Sequence, residues 1–139
     1  MRAALDTNTI VSGLLWGGKP GQVVDLVTDR VIEAVTSEAL IAELSRILMR
    51  PKFQAQLAVR RHNVATIVAL YRELTECVEP VTLPEHVPGL RDSDDRHILA
   101  CAATARAEFI VTGDRGLLEL ATYQDVIIIS AEQCLQRSR

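Results

Sequence analysis

The sequence predicts an α/β fold, with a parallel sheet covered by helices on both faces. Two observations lead there. Short apolar runs of strand type, among them "VIEAVT", "EFIVTG" and "DVIIIS", alternate with longer stretches whose apolar residues recur at helical spacing. Strands that alternate with helices pair in parallel and bury both sheet faces. The pattern also runs through all 139 residues without repeats, low-complexity segments or linkers, so one domain spanning 1–139 is expected.

Ala3 to Leu5 reads as the first, short buried strand. "GGKPG" is a turn in which Pro20 is placed to open a helix, "GQVVDLVTD". After the strand "VIEAVT", Ser37 is the N-cap of "EALIAELSRILM", where Leu40, Ile41, Leu44, Ile47 and Leu48 form one apolar stripe. Pro51 breaks that helix. "QAQLAVRRHNVATIVALYRELTEC" continues at helical period in two pieces, and "CVEPVTL" reads as a strand ended by Pro84. The loop "PEHVPGLRDS" leads to the helix "DDRHILACAATARA". The strand "EFIVTG", the short helix "DRGLLEL" and the buried strand "DVIIIS" follow. Ser130 then caps a last helix, "AEQCLQR".

Composition removes several function classes. The formal net charge is −3, so the whole chain is no magnet for nucleic acid, although a local basic patch is compatible with it. Cys77, Cys101 and Cys134 have no CxxC or zinc-like spacing and read as small apolar residues of a reduced protein. His62, His86 and His97 are scattered. Three apolar residues before Asp6 are too few for a signal-peptide core, and no run reaches the roughly 18 apolar residues of a membrane helix. A soluble, cytoplasmic protein is expected, with no membrane partner.

Ligands of parallel sheets bind beyond the carboxyl ends of the strands. Asp6 stands just past the first strand and Asp114 just past "FIVTG", both on that edge. Asp95 lies three, four and seven residues before Ile98, Leu99 and Ala102, so it extends an inward-facing stripe. Glu43 borders the stripe of its own helix. Each has an ordinary alternative: Asp92, Ser93, Asp94 and Asp95 as helix caps, Glu43 as the partner of Arg46, and Asp114 as a turn residue. Converging on one cleft, the four would repel each other unless a cation neutralised them. An all-oxygen set suits Mg²⁺ or Mn²⁺, and carboxylate-held Mg²⁺ commonly serves phosphate chemistry.

With "LDTNTIVSG", "ELSRILMRPKF", "RDSDDRHILACA" and "FIVTGDRGLL" in this order and spacing, the chain resembles the PIN-domain family along its whole length. Within it, the resemblance is to the small prokaryotic toxin components related to the VapC ribonucleases. The resemblance implies a three-layer α/β/α fold with about five parallel strands in the order 3-2-1-4-5, and metal-dependent RNA cleavage. It aligns Asp6, Glu43, Asp95 and Asp114 with the family's acidic residues. Asp6, Asp95 and Asp114 would then be metal ligands, and Glu43 would ligate a second ion or orient the water. Asn8, Ser12 and Thr112 match the polar positions that hold the ligands in place. Arg96 stands where the subfamily often has one more aspartate, which leaves the roles of Asp92 and Asp94 open.

Arg46 and Arg50 share a helix side with Glu43, so with Lys52 they could contact RNA phosphates. Aromatic residues are only 4%, so little base stacking is expected. A toxin would have an antitoxin partner carrying Arg or Lys into the carboxylates, or a helix filling the groove beside Glu43. Leu57, Val59 and Val64 are apolar residues on the helices beside that groove, although core packing claims most such residues. The resemblance further implies a homodimer.

Two other readings compete. "LDTNT" resembles the DxDxT motif of haloacid-dehalogenase-type phosphatases with Asp6 as nucleophile, but the acid/base aspartate is replaced by Asn8; a phospho-aspartate would identify that chemistry. A catalytically inactive PIN-fold binding module is the other, and metal titration separates it from an enzyme.

Overall fold

The computed structural model describes residues 1–80 and 82–139. Six strands form the sheet: β1 (Arg2–Leu5), β2 (Glu33–Thr36), β3 (Thr75–Cys77), β4 (Phe109–Val111), β5 (Thr122–Tyr123) and β6 (Val126–Ile129). Their order is β3-β2-β1-β4-β6-β5. The first five in that order are mutually parallel and reproduce the expected 3-2-1-4-5. The two-residue β5 adds an antiparallel edge against β6.

Among the described residues, eight helices surround this sheet: α1 (Thr7–Leu15), α2 (Gly18–Thr28), α3 (Glu38–Leu48), α4 (Pro51–Val59), α5 (Val64–Leu74), α6 (Arg96–Thr104), α7 (Arg115–Leu120) and α8 (Ala131–Arg137). A single 3₁₀ turn, Ser93–Asp95, precedes α6. The three layers follow from alternation along the strands. Ala3, Leu5, Ala34, Phe109, Val111 and Ile129 face a core shared with Ile10, Leu15, Leu44, Leu48, Leu57 and Tyr71. Ala4, Val35, Ile110 and Ile128 face the opposite core, with Leu99, Cys101, Ala102 and Leu117.

The caps are largely those of the sequence reading. Ser37 accepts a hydrogen bond from the Leu40 amide, and Pro51 is the first residue of α4. Ser130 and Gln133 form a reciprocal capping box on α8. α2 begins two residues before Pro20, which sits in its first turn, where a missing N–H costs nothing.

Two elements and one cysteine differ from expectation. The segment after Asp6, to which the sequence assigns no element, is α1, whose β-branched residues are held by burial of Thr7, Thr9, Ile10 and Val11. Gly13 lets α1 and α2 meet: a Cβ there would lie 2.8 Å from the Pro20 carbonyl oxygen. The strand expected in "CVEPVTL" lies earlier, at Thr75–Cys77, and part of that segment, Val81, is outside the described residues. This edge strand carries Glu76, whose ion pair with Arg2 (2.8 Å) ties it to β1 at the sheet end opposite Asp6. Cys77 is correspondingly exposed rather than packed as a small apolar residue, while Cys101 and Cys134 are buried; all three are free thiols.

Candidate active site

The carboxyl ends of β1 and β4 lie side by side, with Leu5 opposite Val111. The residues that follow each strand are therefore delivered to one place. The Asp6 amide donates to the Val111 carbonyl (2.9 Å), and the buried Thr112 hydroxyl donates to Asp6 Oδ2 at 2.7 Å. Thr112 Oγ1 in turn accepts from the Asp114 amide at 3.0 Å. One hydroxyl thus positions both strand-end aspartates. Asp114 also caps α7, its Oδ2 accepting the Leu117 amide at 2.9 Å. Asp6 stands at the N-cap of α1 without making the capping bond. Its carboxylate is committed to Thr112 and the cleft.

The other half of the cleft comes from helices. Glu43 projects from the middle of α3, and Asp95 ends the 3₁₀ turn at the start of α6 without a capping bond. Asp6, Glu43, Asp95 and Asp114 all line one open cleft of about 690 Å³. Asn8, Arg46 and Arg50 line it too. Asp92, Asp94 and His97 also reach it. Asp92 Oδ1 accepts the Asp94 amide at 2.9 Å, so this carboxylate shapes the turn that presents Asp95.

The crowding of like charges is visible in the acidities. Asp95 is pushed up to about 7, first by desolvation, then by Asp114, Asp92, Asp6 and Glu43. Burial raises Asp6 as well, with Asp114 adding to it, while the Thr112 hydrogen bond and the Asn8 and Thr7 amides act against it. Glu43 is raised by burial, then by Asp6, with Arg46 opposing.

Two residues of the sequence reading lie away from the cleft lining. Ser12, one turn beyond Asn8 on α1, is half-buried, and its carbonyl accepts the Trp16 and Gly17 amides. Lys52 sits in the first turn of α4 with Nζ 4.8 Å from the centre of the Phe53 ring. Arg96 is turned away from the carboxylates, donating to the Ser93 carbonyl at 2.8 Å. His97 was missed by the sequence reading. Its only signal is its place two residues after Asp95, on the first turn of the same helix.

Among the described residues, no three His, Cys, Asp or Glu side chains are already gathered tightly enough to hold a metal ion. The donor set nevertheless suits one. It consists of oxygen ligands whose mutual repulsion a divalent cation would relieve. Among the described residues, no helix is long and apolar enough to cross a membrane.

Known proteins share this architecture. VapBC2 from Rickettsia felis, solved bound to a DNA fragment from its promoter, aligns with a TM-score of 0.64 and 14% identity, covering 94% of this chain and 98% of that one. FitAcB from Neisseria gonorrhoeae aligns at 0.55 and 20% identity with the same coverage. At these identities the likeness is one of fold. In sequence, the uncharacterized protein MJ1680 of Methanocaldococcus jannaschii is 26% identical over 121 residues, which span 86% of this chain and 75% of that protein. The PIN-domain profile matches residues 2–116, from the first strand to the start of α7, just beyond Asp114, and by that match the chain belongs to the PIN-domain family.

Proposed function

We propose that this protein is a metal-dependent endoribonuclease and the toxin of a type II toxin–antitoxin pair. The observation that carries the reading is the convergence of Asp6, Glu43, Asp95 and Asp114 on one cleft that Arg46 and Arg50 also line. A carboxylate cluster alone repels a phosphodiester. Carboxylates beside arginines that make no ion pair among the described residues can accept one once a cation intervenes.

Asp6, Asp95 and Asp114 would hold Mg²⁺ or Mn²⁺. When bound, the ion supplies charge for the phosphoryl oxygens and makes water a stronger acid. Thr112 fixes the Asp6 carboxylate by its 2.7 Å hydrogen bond, and Asn8 lines the cleft from the first turn of α1. Ser12 acts through the helix that carries Asn8. Glu43, raised by burial, is suited to take a proton from the attacking water. Arg46 and Arg50 orient the RNA backbone. The partner half of the reading rests on the family resemblance and on the likeness to VapBC2 and FitAcB. A cytoplasmic homodimer inhibited by a basic antitoxin segment fits it.

The test is cleavage of single-stranded RNA by the purified protein with Mg²⁺ or Mn²⁺, with chelator, and with Asp6→Asn. Metal-dependent cleavage lost in the variant is expected. Metal-independent cleavage, or wild-type cleavage by the variant, overturns the mechanism. Co-expression with the adjacent gene product should give a complex with suppressed cleavage, and cleavage unchanged by that product overturns the toxin reading.

A further inference from the structure

The only tryptophan in the chain is one of its most exposed large side chains: Trp16 is 56% accessible. It caps the C-terminus of α1, and the chain leaves it through Gly17 and Gly18, both at positive φ (76° and 65°). That turn is open to glycine and costly for other residues. The Trp16 ring meets the buried Phe53 ring in a T-shaped arrangement with centroids 5.5 Å apart, a contact that helps hold the indole in place. Lys52 lies over Phe53, and Arg60 donates to the Leu15 carbonyl beside the indole.

The surrounding charge is strongly one-sided. From Leu44 to Arg72 the chain has six cations and no carboxylate; all 18 acidic residues lie outside this segment. Among the described residues, Arg46, Arg50, Lys52, Arg60 and Arg61 make no ion pair, and only Arg72 of the six does, with Glu38. This segment also leads to the cleft. Arg46 and Arg50 line it, Arg50 caps α4, and Phe53 stands in the first turn of α4 against Trp16. α1 joins the same points from the other side. Asn8 lines the cleft in its first turn, and Trp16 follows its ninth helical residue, about 12 Å from Asn8 along the axis.

We propose that Trp16 is a base-stacking platform for single-stranded RNA, at the far end of a basic track that leaves the cleft past Arg46 and Arg50. This deepens the ribonuclease reading and rests on it for the direction of the track. A base stacks on the exposed indole face while the cations hold the flanking phosphates. Because every base has a π-face, the platform sets how the strand lies without selecting sequence. Charge complementarity favours this polyanion over an apolar or basic protein segment.

Trp16 is its own reporter. The protein is titrated in chelator with a short single-stranded oligonucleotide, and with an abasic strand of the same length, while tryptophan emission and strand anisotropy are read together. The base-bearing strand should quench the emission, and the abasic strand should bind with little quenching. Trp16→Ala should weaken binding about 10-fold, and Trp16→Phe should restore most of it. Thermal melts of both variants confirm that they fold.

Binding without quenching, or equal affinity of a folded Trp16→Ala protein, overturns the proposal. So does emission that shifts to the blue with protein concentration and ignores the oligonucleotide, since a second copy would then cover the indole. Metal-dependent cleavage with a silent Trp16 removes this inference alone. Quenching by a protein that cleaves no RNA removes the ribonuclease reading and leaves a single-strand binding platform.

Discussion

The two walls of the cleft are made of opposite chemistry by different kinds of structure. Half of the acidic quartet stands on strand ends, and the other half, Glu43 and Asp95, on α3 and the turn before α6. Asp6 and Asp114 follow paired parallel strands and share one buried hydroxyl, so their positions are set by the sheet. The basic wall stands on the exposed side of α3 and the start of α4, where Arg46 and Arg50 are fixed by no ion pair among the described residues. The strand-end aspartates are hydrogen-bonded in place and the acidic side repels itself; the basic side makes no ion pair among the described residues and can bind anions. Chemistry that depends on fractions of an ångström belongs on the first, and tolerant contact with a flexible backbone belongs on the second.

If that division is right, damage to the acidic wall lowers turnover and damage to the basic wall lowers affinity. The largest effect expected is from Asp6→Asn, which should lower RNA cleavage by roughly 100-fold or more with KM little changed. Thr112→Val should come next. It keeps the shape but removes the hydroxyl between Asp6 and Asp114, and about 10-fold loss of metal affinity is expected. Metal titration by calorimetry checks it. An affinity equal to wild type would mean that the sheet alone positions the two aspartates.

Asp95 tests the repulsion itself. In the folded, metal-free protein its carboxyl is pushed up to about 7, above the aspartate value of the unfolded chain. Between about pH 4 and pH 7 the folded state therefore holds a proton that the unfolded state has lost, so metal-free stability falls as pH rises through this window. Asp6 and Glu43, also raised, act in the same direction. Asp95→Asn should flatten the slope and raise the metal-free Tm at pH 8 by about 3 °C. It should also shrink the rise in Tm that Mn²⁺ gives by binding the folded state. Melting curves in chelator across this range decide the point; an unchanged slope and an unchanged metal response would remove Asp95 from the cluster.

The acidic wall was the legible part of this sequence, because strand ends can be read from apolar runs and a carboxylate on an inward stripe is conspicuous. The parallel strand order came from the family resemblance, and the pairings agree with it. What the sequence hid depends on tertiary contact. "TNTIVSGLL" has the β-branched residues and glycine of a poor helix, and only burial of Ile10, Val11 and Leu15 makes it α1. "TEC" carries no apolar run because β3 is an edge with Glu76 and Cys77 exposed. Trp16 was hidden too. A low aromatic content says nothing of whether the single tryptophan is buried, and its partner Phe53 comes from another helix.

The smallest expected effects lie on the basic wall, and there the two arginines should part company. Each should contribute one phosphate contact at most, so Arg50→Ala should weaken single-strand binding only several-fold and lower the salt dependence of log K by about 0.7. Arg46→Ala should do the same and one thing more. Among the described residues, Arg46 is the cation that pulls the acidity of Glu43 back towards normal, against burial and Asp6. Without it Glu43 holds its proton to higher pH, so the acidic limb of the cleavage–pH profile should move upward in Arg46→Ala and stay in place in Arg50→Ala. Cleavage rates at saturating RNA, measured across pH for both variants, separate the roles. A shift in both would mean that the basic wall acts on the carboxylates as a diffuse field. A shift in neither would mean that Arg46, like Arg50, only holds the strand.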